Sequence, residues 1–300
     1  MLPLAHWPLE DRRQLIGVFT DIDDTLTTEG AITPDALQAL AQLKGAGLHV
    51  IPITGRPIGW SEPFALGDTA RGIAPWPIDA LVAENGAVAF KGMNLSQNDL
   101  QPSYSLTSPL SKLYQQDAKT RALNTTRMQA VTRRVLAEVP GTVLATDSGG
   151  RETDIAIDHS EFTHLSPEKI EQVAQIMRAE GMTATVSSIH INGWFGEHNT
   201  LAGARWIVAE LLGRDLDAER HRWAFVGDST NDQVMFAHFE HSVGVANIRR
   251  FDAQLIHKPR YITQGARGAG FAEVAQAILE ASQRGTLRTT PQPLHALLFQ

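Results

Sequence analysis

Cysteine is absent from the 300-residue chain. Without it a protein cannot form disulfides, use a thiolate nucleophile or bind a metal through a thiolate, and this is consistent with a reducing compartment. Long apolar runs are missing too, and no stretch reaches the roughly 20 residues of a membrane-spanning helix. The first residues, MLPLAHWPLEDRR, lack the basic start and long apolar core of a secretory leader. We therefore predict a cytoplasmic protein with no membrane partner.

An excess of basic residues is also lacking, because 26 lysines and arginines stand against 33 aspartates and glutamates. The formal net charge of -7 and the scattered basic residues offer no electrostatic surface for nucleic acid, so we expect no such partner. Hydrophobic residues make up 43% and charged residues 20% of the chain, which is typical of a soluble globular protein. The length suffices for two domains, and the oligomeric state stays open.

Two short apolar runs, at residues 15–19 (LIGVF) and 48–53 (LHVIPI), have the character of strands buried on both faces of a sheet. Between them, Thr33 is a plausible helix N-cap and Gly45 a plausible helix end. A strand, a helix and a second strand predict a parallel sheet with helices on its faces. Residues 79–90 (DALVAENGAVAF) add a further strand and a turn.

The composition and the hydrophobic pattern of the sequence change near residue 91. A polar stretch leads to a long helical segment at residues 117–139, and a second helix has Ser166 as its N-cap. Alternating strand-like runs lie around these helices, including residues 183–188 (TATVSS) and 190–195 (HINGWF). Such a mixture predicts an inserted α+β domain.

Alternating strands and helices then resume, with a strand predicted at residues 223–227 (WAFVG) and a last helix from Phe271. The predicted fold class is therefore α/β. A Rossmann-like, doubly wound parallel-sheet core comprises residues 1–87 and 195–300, and an α+β cap comprises residues 88–194. The tail after Arg284 is predicted to be a peripheral extension.

Polar clusters follow three of the predicted parallel strands. The first cluster holds Asp21, Asp23, Asp24 and Thr25, the second Thr54, Gly55 and Arg56, and the third Asp228, Asn231 and Asp232. Ligands of open parallel sheets bind at the carboxyl ends of the strands, where loops converge. One such cluster could be an ordinary turn, but three at one edge of a sheet predict a functional site.

Crowded carboxylates repel one another unless they are paired, protonated or gathered around a cation. Basic partners are few here, and the donors are all oxygen, so the residues favour a hard ion such as Mg²⁺. With a metal present, one aspartate can attack an electrophile such as phosphorus and another can act as general acid and base. Thr54, the Gly55 backbone and Arg56 could stabilise the phosphoryl oxygens.

Residues 21–25 (DIDDT), 53–57 (ITGRP) and 227–232 (GDSTND) resemble, in order and spacing, three signature motifs of the haloacid dehalogenase (HAD) superfamily of phosphohydrolases. The insertion between the second and third motifs resembles the large α/β cap of the sugar-phosphatase-like branch, the Cof-type or subfamily IIB enzymes. The resemblance implies a Mg²⁺-dependent phosphatase that hydrolyses a small phosphorylated metabolite, such as a sugar phosphate, through an aspartyl-phosphate.

The resemblance also implies a role for each matched residue. Asp21 would attack phosphorus, and Asp23 would protonate the leaving oxygen and later activate water. Thr54 would bind the transferred group together with Gly55 and Arg56, and Asn231 would orient its loop. The implied metal ligands are Asp21, the backbone carbonyl of Asp23, and Asp228, with Asp232 supporting them.

The resemblance also implies a fourth motif, a lysine near the start of the helix before the GDSTND strand, which neutralises the nucleophile and the phosphate. The sequence departs from the superfamily here, because Thr200 takes the aligned position. A substitute cation could come from Arg56, His198 or Arg205. Two alternatives to a phosphatase therefore stay open. One is a catalytically impaired protein that binds phosphorylated metabolites on the same scaffold, and the other is a phosphomutase.

Overall fold

The computed structural model describes residues 1–92, 112–187 and 189–286. Its strands are β1 (Leu2–Pro3), β2 (Gly17–Thr20), β3 (Thr27–Thr28), β4 (Ala31–Ile32), β5 (His49–Pro52), β6 (Ala80–Ala83), β7 (Val88–Lys91), β8 (Lys112–Tyr114), β9 (Val143–Leu144), β10 (Ile155–Asp158), β11 (Thr183–Val186), β12 (His190–Trp194), β13 (Trp223–Gly227), β14 (His241–Gly244) and β15 (Tyr261–Ile262). Its α-helices are α1 (Leu9–Arg13), α2 (Pro34–Gly45), α3 (Ile58–Leu66), α4 (Ala118–Glu138), α5 (Pro167–Ala179), α6 (Thr200–Ile207), α7 (Gln233–His238) and α8 (Arg267–Thr286).

Six strands form the main sheet, in the order β1, β15, β14, β13, β2, β5, and every neighbouring pair is parallel. Successive residues of β2 point to opposite faces. Val18 packs in an apolar cluster with Leu40 of α2, while Phe19 packs in a second cluster with Leu201 of α6. Because both faces are covered, the strands are continuous apolar runs. The predicted α/β fold with a parallel-sheet core is confirmed.

A small antiparallel sheet of β6, β7 and β8 continues this core. Ile53, just after β5, forms a parallel bridge with Val82 of β6, and β7 then pairs with β6 and β8. Val88 and Phe90 are buried in the same apolar cluster as Val18. These contacts place β7 and β8 with the core, so the predicted cap limit at residue 88 falls inside a core hairpin, and the domain limits stay a prediction.

The inserted residues form a unit with its own apolar centre. Four antiparallel strands, in the order β11, β12, β10, β9, pack against α4 and α5. Both helices begin as the sequence indicates, because the side chains of Asp117 and Ser166 each accept a hydrogen bond from a backbone N–H one turn on. Val131 and Val173 are buried in the apolar cluster of this unit. We refer to this unit below as the cap.

Some elements differ from the sequence-based expectation. The edge strand β1 pairs with β15, and neither was predicted, since two-residue strands carry no periodicity. The last helix begins at Arg267, before the predicted start at Phe271. The sequence-based start was too late because Gly268 and Gly270 weaken the helical pattern of the sequence. The tail from residue 287 onward lies outside the described residues. No described helix is both long and apolar enough to cross a membrane.

Gly86 lies where the turn after β6 meets the start of α6. Its φ is +104°, and a Cβ atom built on it would lie 2.3 Å from the Asn199 carbonyl oxygen. That oxygen accepts the Gly203 N–H within the first turn of the helix, so it cannot move away without breaking this bond. The turn therefore requires glycine for both its backbone angle and its lack of a side chain.

We predict that Gly86→Ala lowers the free energy of unfolding by about 2 kcal/mol or more, through backbone strain and a steric clash. Gly45→Ala is the matched control, because Gly45 ends α2 in open space, and its change should be neutral or stabilising by up to about 1 kcal/mol. Urea denaturation measures both. Equal stability of the two variants would contradict the close approach at Gly86.

Candidate active site

The carboxyl ends of β2, β5 and β13 meet at one edge of the main sheet, and a cleft opens there beneath the cap. Asp21 follows β2 directly, and its N–H donates to the Val226 carbonyl oxygen of β13 at 2.9 Å. The core side of the cleft is lined by Asp21, Asp23, Thr54, Gly55, Arg56, Asp228, Ser229 and Asn231, and the cap side by Ser187, Ile189, His190 and Asn192. Every residue to which the sequence analysis gives a role, except Asp232, thus lines this cleft, whereas Asp24 and Thr25 of the first polar cluster do not.

Asp21, Asp228 and Asp232 form an acidic trio. One carboxylate oxygen from each lies within 4.8 Å of the others. Burial raises the pKa of Asp21 well above its ordinary value, and the charges of Asp232 and Asp228 raise it further. Burial and Asp232 raise the pKa of Asp228 in the same way. A cation among these oxygens would relieve the repulsion, and an all-oxygen set suits Mg²⁺.

Asp232 also organises the loop that carries Asp228. Its Oδ2 accepts hydrogen bonds from the backbone N–H groups of Asp228 and Ser229, both at 2.9 Å. Burial raises the pKa of Asp232 to about 6, although these bonds oppose the shift. The residue therefore supports the cleft from behind, which explains why it does not line the cleft surface.

Two nitrogen atoms of the Arg56 guanidinium donate hydrogen bonds to the Asp23 carboxylate. Nε of Arg56 lies 3.1 and 3.0 Å from the two Asp23 oxygens, and Nη2 lies 3.0 Å from Oδ1. Nη1 reaches across to the cap, where it lies 3.2 Å from Glu161 and 3.5 Å from Asp147. Burial disfavours the charged guanidinium, but these carboxylates outweigh it and raise the pKa of Arg56. The predicted role of Arg56 as a phosphate ligand stays a prediction.

Thr54 and Gly55 form a tight turn at the floor of the cleft. The Thr54 hydroxyl accepts the Arg56 N–H at 3.0 Å, and the Gly55 carbonyl oxygen accepts from Arg151 of the cap at 3.0 Å. A Cβ atom on Gly55 would come within 3.1 Å of the Asn85 side chain. This position therefore favours glycine, and it leaves the backbone accessible from the cleft.

Asn247, Arg250 and Arg267 contact the acidic loops, and none of them is among the predicted site residues. The Asn247 amide donates to Asp228 Oδ2 at 2.8 Å, and Arg250 Nη2 lies 2.9 Å from the same atom. Arg250 and Arg267 also bind the two oxygens of Asp24, each at 3.0 Å. Asn247 and Arg267 lie in the runs at residues 241–247 (HSVGVAN) and 262–274 (ITQGARGAGFAEV), and Arg250 lies between them, but neither run indicates which carboxylate these side chains contact.

The three candidate replacements for the motif lysine differ in position. Arg205 lies 3.0 Å from Asp217 on an exposed surface. The ring of His198 stacks on Trp194, and burial lowers its pKa to about 4, so it is neutral near pH 7. Of the three, Arg56 alone lines the cleft with Asp21. Thr200 and Asn231 line a neighbouring pocket.

A buried polar network joins the core to the cap beside the cleft. Glu84, after β6, accepts hydrogen bonds from the backbone N–H groups of Ile58, Glu152 and Thr153, and from the Thr153 hydroxyl. Arg151 is paired with Asp154 at 2.8 Å, and both side chains are almost wholly buried. The network crosses the joint with polar contacts, so it can orient the cap without a large apolar surface.

The comparisons with known proteins agree with this geometry. A family model described as haloacid dehalogenase-like hydrolase matches residues 18–274. Comparison with curated proteins finds no significant match.

Solved structures with the same fold include a sucrose-phosphatase from Synechocystis sp. PCC6803, in complex with sucrose and phosphate. It is 14% identical, with a TM-score of 0.60, over 89% of this chain and 98% of that one. A putative HAD/COF-like hydrolase from Plasmodium vivax is 14% identical, with a TM-score of 0.62, over 91% and 99%. A HAD subclass IIB sugar phosphatase, BT4131, is 14% identical, with a TM-score of 0.53, over 90% and 99%.

We predict that Glu84→Gln destabilises the protein by about 2 kcal/mol at pH 5, because an amide nitrogen, which cannot accept a hydrogen bond, replaces one of the two oxygens to which backbone N–H groups donate. Glu152→Gln is the control. Glu152 is more exposed and pairs with Lys112, so its loss should cost no more than about 1 kcal/mol. Urea denaturation at matched pH measures both variants.

The pH dependence of this difference is a second readout. Burial and the charge of Asp154 raise the pKa of Glu84 from 4.5 to about 7, so the folded state holds this proton more tightly than the unfolded state. The wild type therefore loses stability as the pH rises from about 4.5 to 7, and Glu84→Gln lacks this loss. The gap between the two should narrow towards pH 8. A gap that widens would contradict the raised pKa.

Proposed function

The chain belongs to the haloacid dehalogenase-like hydrolases, and on that premise we propose that it is a Mg²⁺-dependent phosphatase for a small phosphate monoester. One observation carries the proposal. Asp21 and Asp23 share a cleft with Asp228 at the carboxyl edge of a parallel sheet, and a cap covers this cleft. In such a pair, one carboxylate can act as the nucleophile and the other as the general acid and base.

Asp21 is the proposed nucleophile. One of its carboxylate oxygens forms a bond to phosphorus as the bond from phosphorus to the leaving oxygen breaks. Asp23 donates its proton to that leaving oxygen, which departs as an alcohol. Asp23 then takes a proton from a water molecule, whose oxygen attacks phosphorus, and this releases inorganic phosphate and restores Asp21.

The acidic trio fits a divalent cation. Asp21 and Asp228 would hold it, with the Asp23 backbone carbonyl as a further ligand and Asp232 behind them. When bound, Mg²⁺ would offset the negative charge of the carboxylates and of the phosphoryl group. Thr54 and the Gly55 backbone would donate to the phosphoryl oxygens, while Asn231 holds the facing loop.

A sugar phosphate is the proposed substrate class. Two lines support it: solved structures of the same fold include a sucrose-phosphatase and a subclass IIB sugar phosphatase, and three of the four cap residues that line the cleft are polar. Ser187, His190 and Asn192 present hydrogen-bonding groups that suit a hydroxylated leaving group.

A binding protein with impaired chemistry is a second candidate, and it also has an observation in its favour. Ion pairs from Arg56, Arg250 and Arg267 reach Asp23, Asp24 and Asp228, and Thr200 stands at the lysine position. Release of inorganic phosphate distinguishes a phosphatase from this candidate, and also from a phosphomutase, which would return the group to a sugar.

We predict that wild-type protein with Mg²⁺ releases phosphate from at least one member of a sugar-phosphate panel, and that Asp21→Asn lowers the rate at least about 10³-fold. The amide keeps the shape of the carboxylate but is a far weaker nucleophile. Asp252→Asn is the control, because this exposed aspartate pairs only with Lys258 among the ion pairs of the described residues, and it should keep the wild-type rate. A near-native rate for Asp21→Asn would refute the mechanism.

We also predict that Mg²⁺ stabilises the wild type against heat, because binding to the folded state alone adds about 2.7 kcal/mol at a hundred times the Kd. For a chain of this size the melting temperature should rise by roughly 5 °C or more. The rise should be lost in Asp228→Asn and kept in Asp252→Asn. Turnover should cease in excess chelator and return when Mg²⁺ is added back; full activity in chelator would contradict the metal requirement.

A further inference from the structure

Arg56 contacts carboxylates of both the core and the cap. Its Nε and Nη2 bind Asp23 of the core, and its Nη1 lies 3.2 Å from Glu161 of the cap. The Arg56 residue is only 8% exposed, so solvent screens these contacts weakly. The same guanidinium therefore links the proposed general acid and base to a residue that only the cap supplies.

Glu161 is itself rigidly placed. Asp158, at the end of β10, accepts hydrogen bonds from the backbone N–H groups of Glu161 and Phe162, both at 2.9 Å. The second Glu161 oxygen lies 2.8 Å from His190 Nε2 on β12. Both Glu161 oxygens are thus engaged, and the loop that carries the residue is tied to two cap strands.

The other cap carboxylate near Arg56 is already bound elsewhere. Asp147 accepts from Arg151 Nε and Nη2 at 3.1 to 3.2 Å, while its distance to Arg56 is 3.5 Å. Asp147 therefore contacts Arg56 less closely than Glu161 does. Glu161 is the closer cap anchor of Arg56.

The contact with Arg56 also distinguishes the two Asp23 oxygens. Oδ1 accepts from both Nε and Nη2, whereas Oδ2 accepts from Nε alone. A carboxylate oxygen has two lone pairs, so Oδ2 keeps the greater free capacity. Arg56 thereby fixes the plane of the Asp23 carboxyl and leaves Oδ2 as the oxygen that can exchange a proton.

We propose that Glu161 is a positioning residue, which orients Asp23 through Arg56 so that the leaving group is protonated efficiently only with the cap in place. The proposal rests on the phosphatase function above. Misplacement of a catalytic group by about 1 Å can cost on the order of 10²-fold in rate. The loss should fall on reactions that need the proton of Asp23 and spare those that do not.

Phenyl phosphate and p-nitrophenyl phosphate provide the test, because they share a ring but differ in leaving group. Phenolate is a poor leaving group that needs protonation, whereas p-nitrophenolate departs without it. The quantity to measure is kcat/KM, which covers the steps up to the aspartyl-phosphate and so reports on Asp23 as general acid. For Glu161→Ala we expect roughly a 10- to 100-fold loss on phenyl phosphate and less than about 3-fold on p-nitrophenyl phosphate.

The matched control is Glu171→Ala, which removes an exposed cap carboxylate bound to Arg178 and should leave both substrates unchanged. Asp23→Asn should show the same substrate preference as Glu161→Ala, with a larger loss. If Glu161→Ala does not fold, Glu161→Gln is measured in its place, and we expect a smaller loss of kcat/KM on phenyl phosphate. A crystal structure of the variant should show Arg56 displaced from Asp23.

Equal losses on both substrates, or no loss on either, would overturn the positioning role while the phosphatase function stands. A wild type that turns over neither substrate nor any member of the sugar-phosphate panel would instead overturn the phosphatase function, and the positioning role with it. A variant that retains the Arg56 contact with Asp23 and yet loses activity would also contradict the proposal.

Discussion

Parallel pairing between β2 and β13 is the constraint on which the site depends. Thr20 lies opposite Val226 in the register of these strands, so the chain segments that follow them leave the sheet side by side. Asp21 and Asp228 are brought together in this way, with Asp232 behind them. The pairing stabilises the core but gathers negative charge that burial makes costly. A protein built on this edge therefore requires a cation, protons or ion pairs to offset the charge.

The joint between core and cap also buries charged groups. Here the charged groups are paired directly: Arg151 with Asp154, and Arg56 with Asp23 and Glu161. Ion pairs that lose their water gain little net free energy, since desolvation cancels much of the attraction. Opening the cap would return these groups to water, so a polar joint opposes opening less than an apolar interface of equal area. The contacts instead define one orientation of the cap, because each donor requires its own acceptor.

Much of the fold and part of the site could be predicted from local patterns. The strands around Phe19 and Phe225 are apolar runs, and helices begin after Thr33 and Ser166 as predicted, although only the Ser166 side chain accepts a capping hydrogen bond. The positions of Asn247 and Arg250 at Asp228 could not be predicted, because nothing in their neighbourhood along the chain indicates which carboxylate they meet. The two-residue strands at the sheet edge were missed for the related reason that they are too short for any period to show.

The alternation of strands and helices and the three polar clusters at strand ends follow from local sequence, because periodicity and turn chemistry are properties of neighbouring residues. The ordered motifs also determined the family. Three contacts depend instead on how the chain packs: Arg56 binds Asp23, Arg205 binds Asp217 away from the cleft, and Glu161 links the cap to Arg56 of the core. Glu161 lies 105 residues from Arg56 along the chain, and such pairs form only when packing brings distant segments together and excludes water between them.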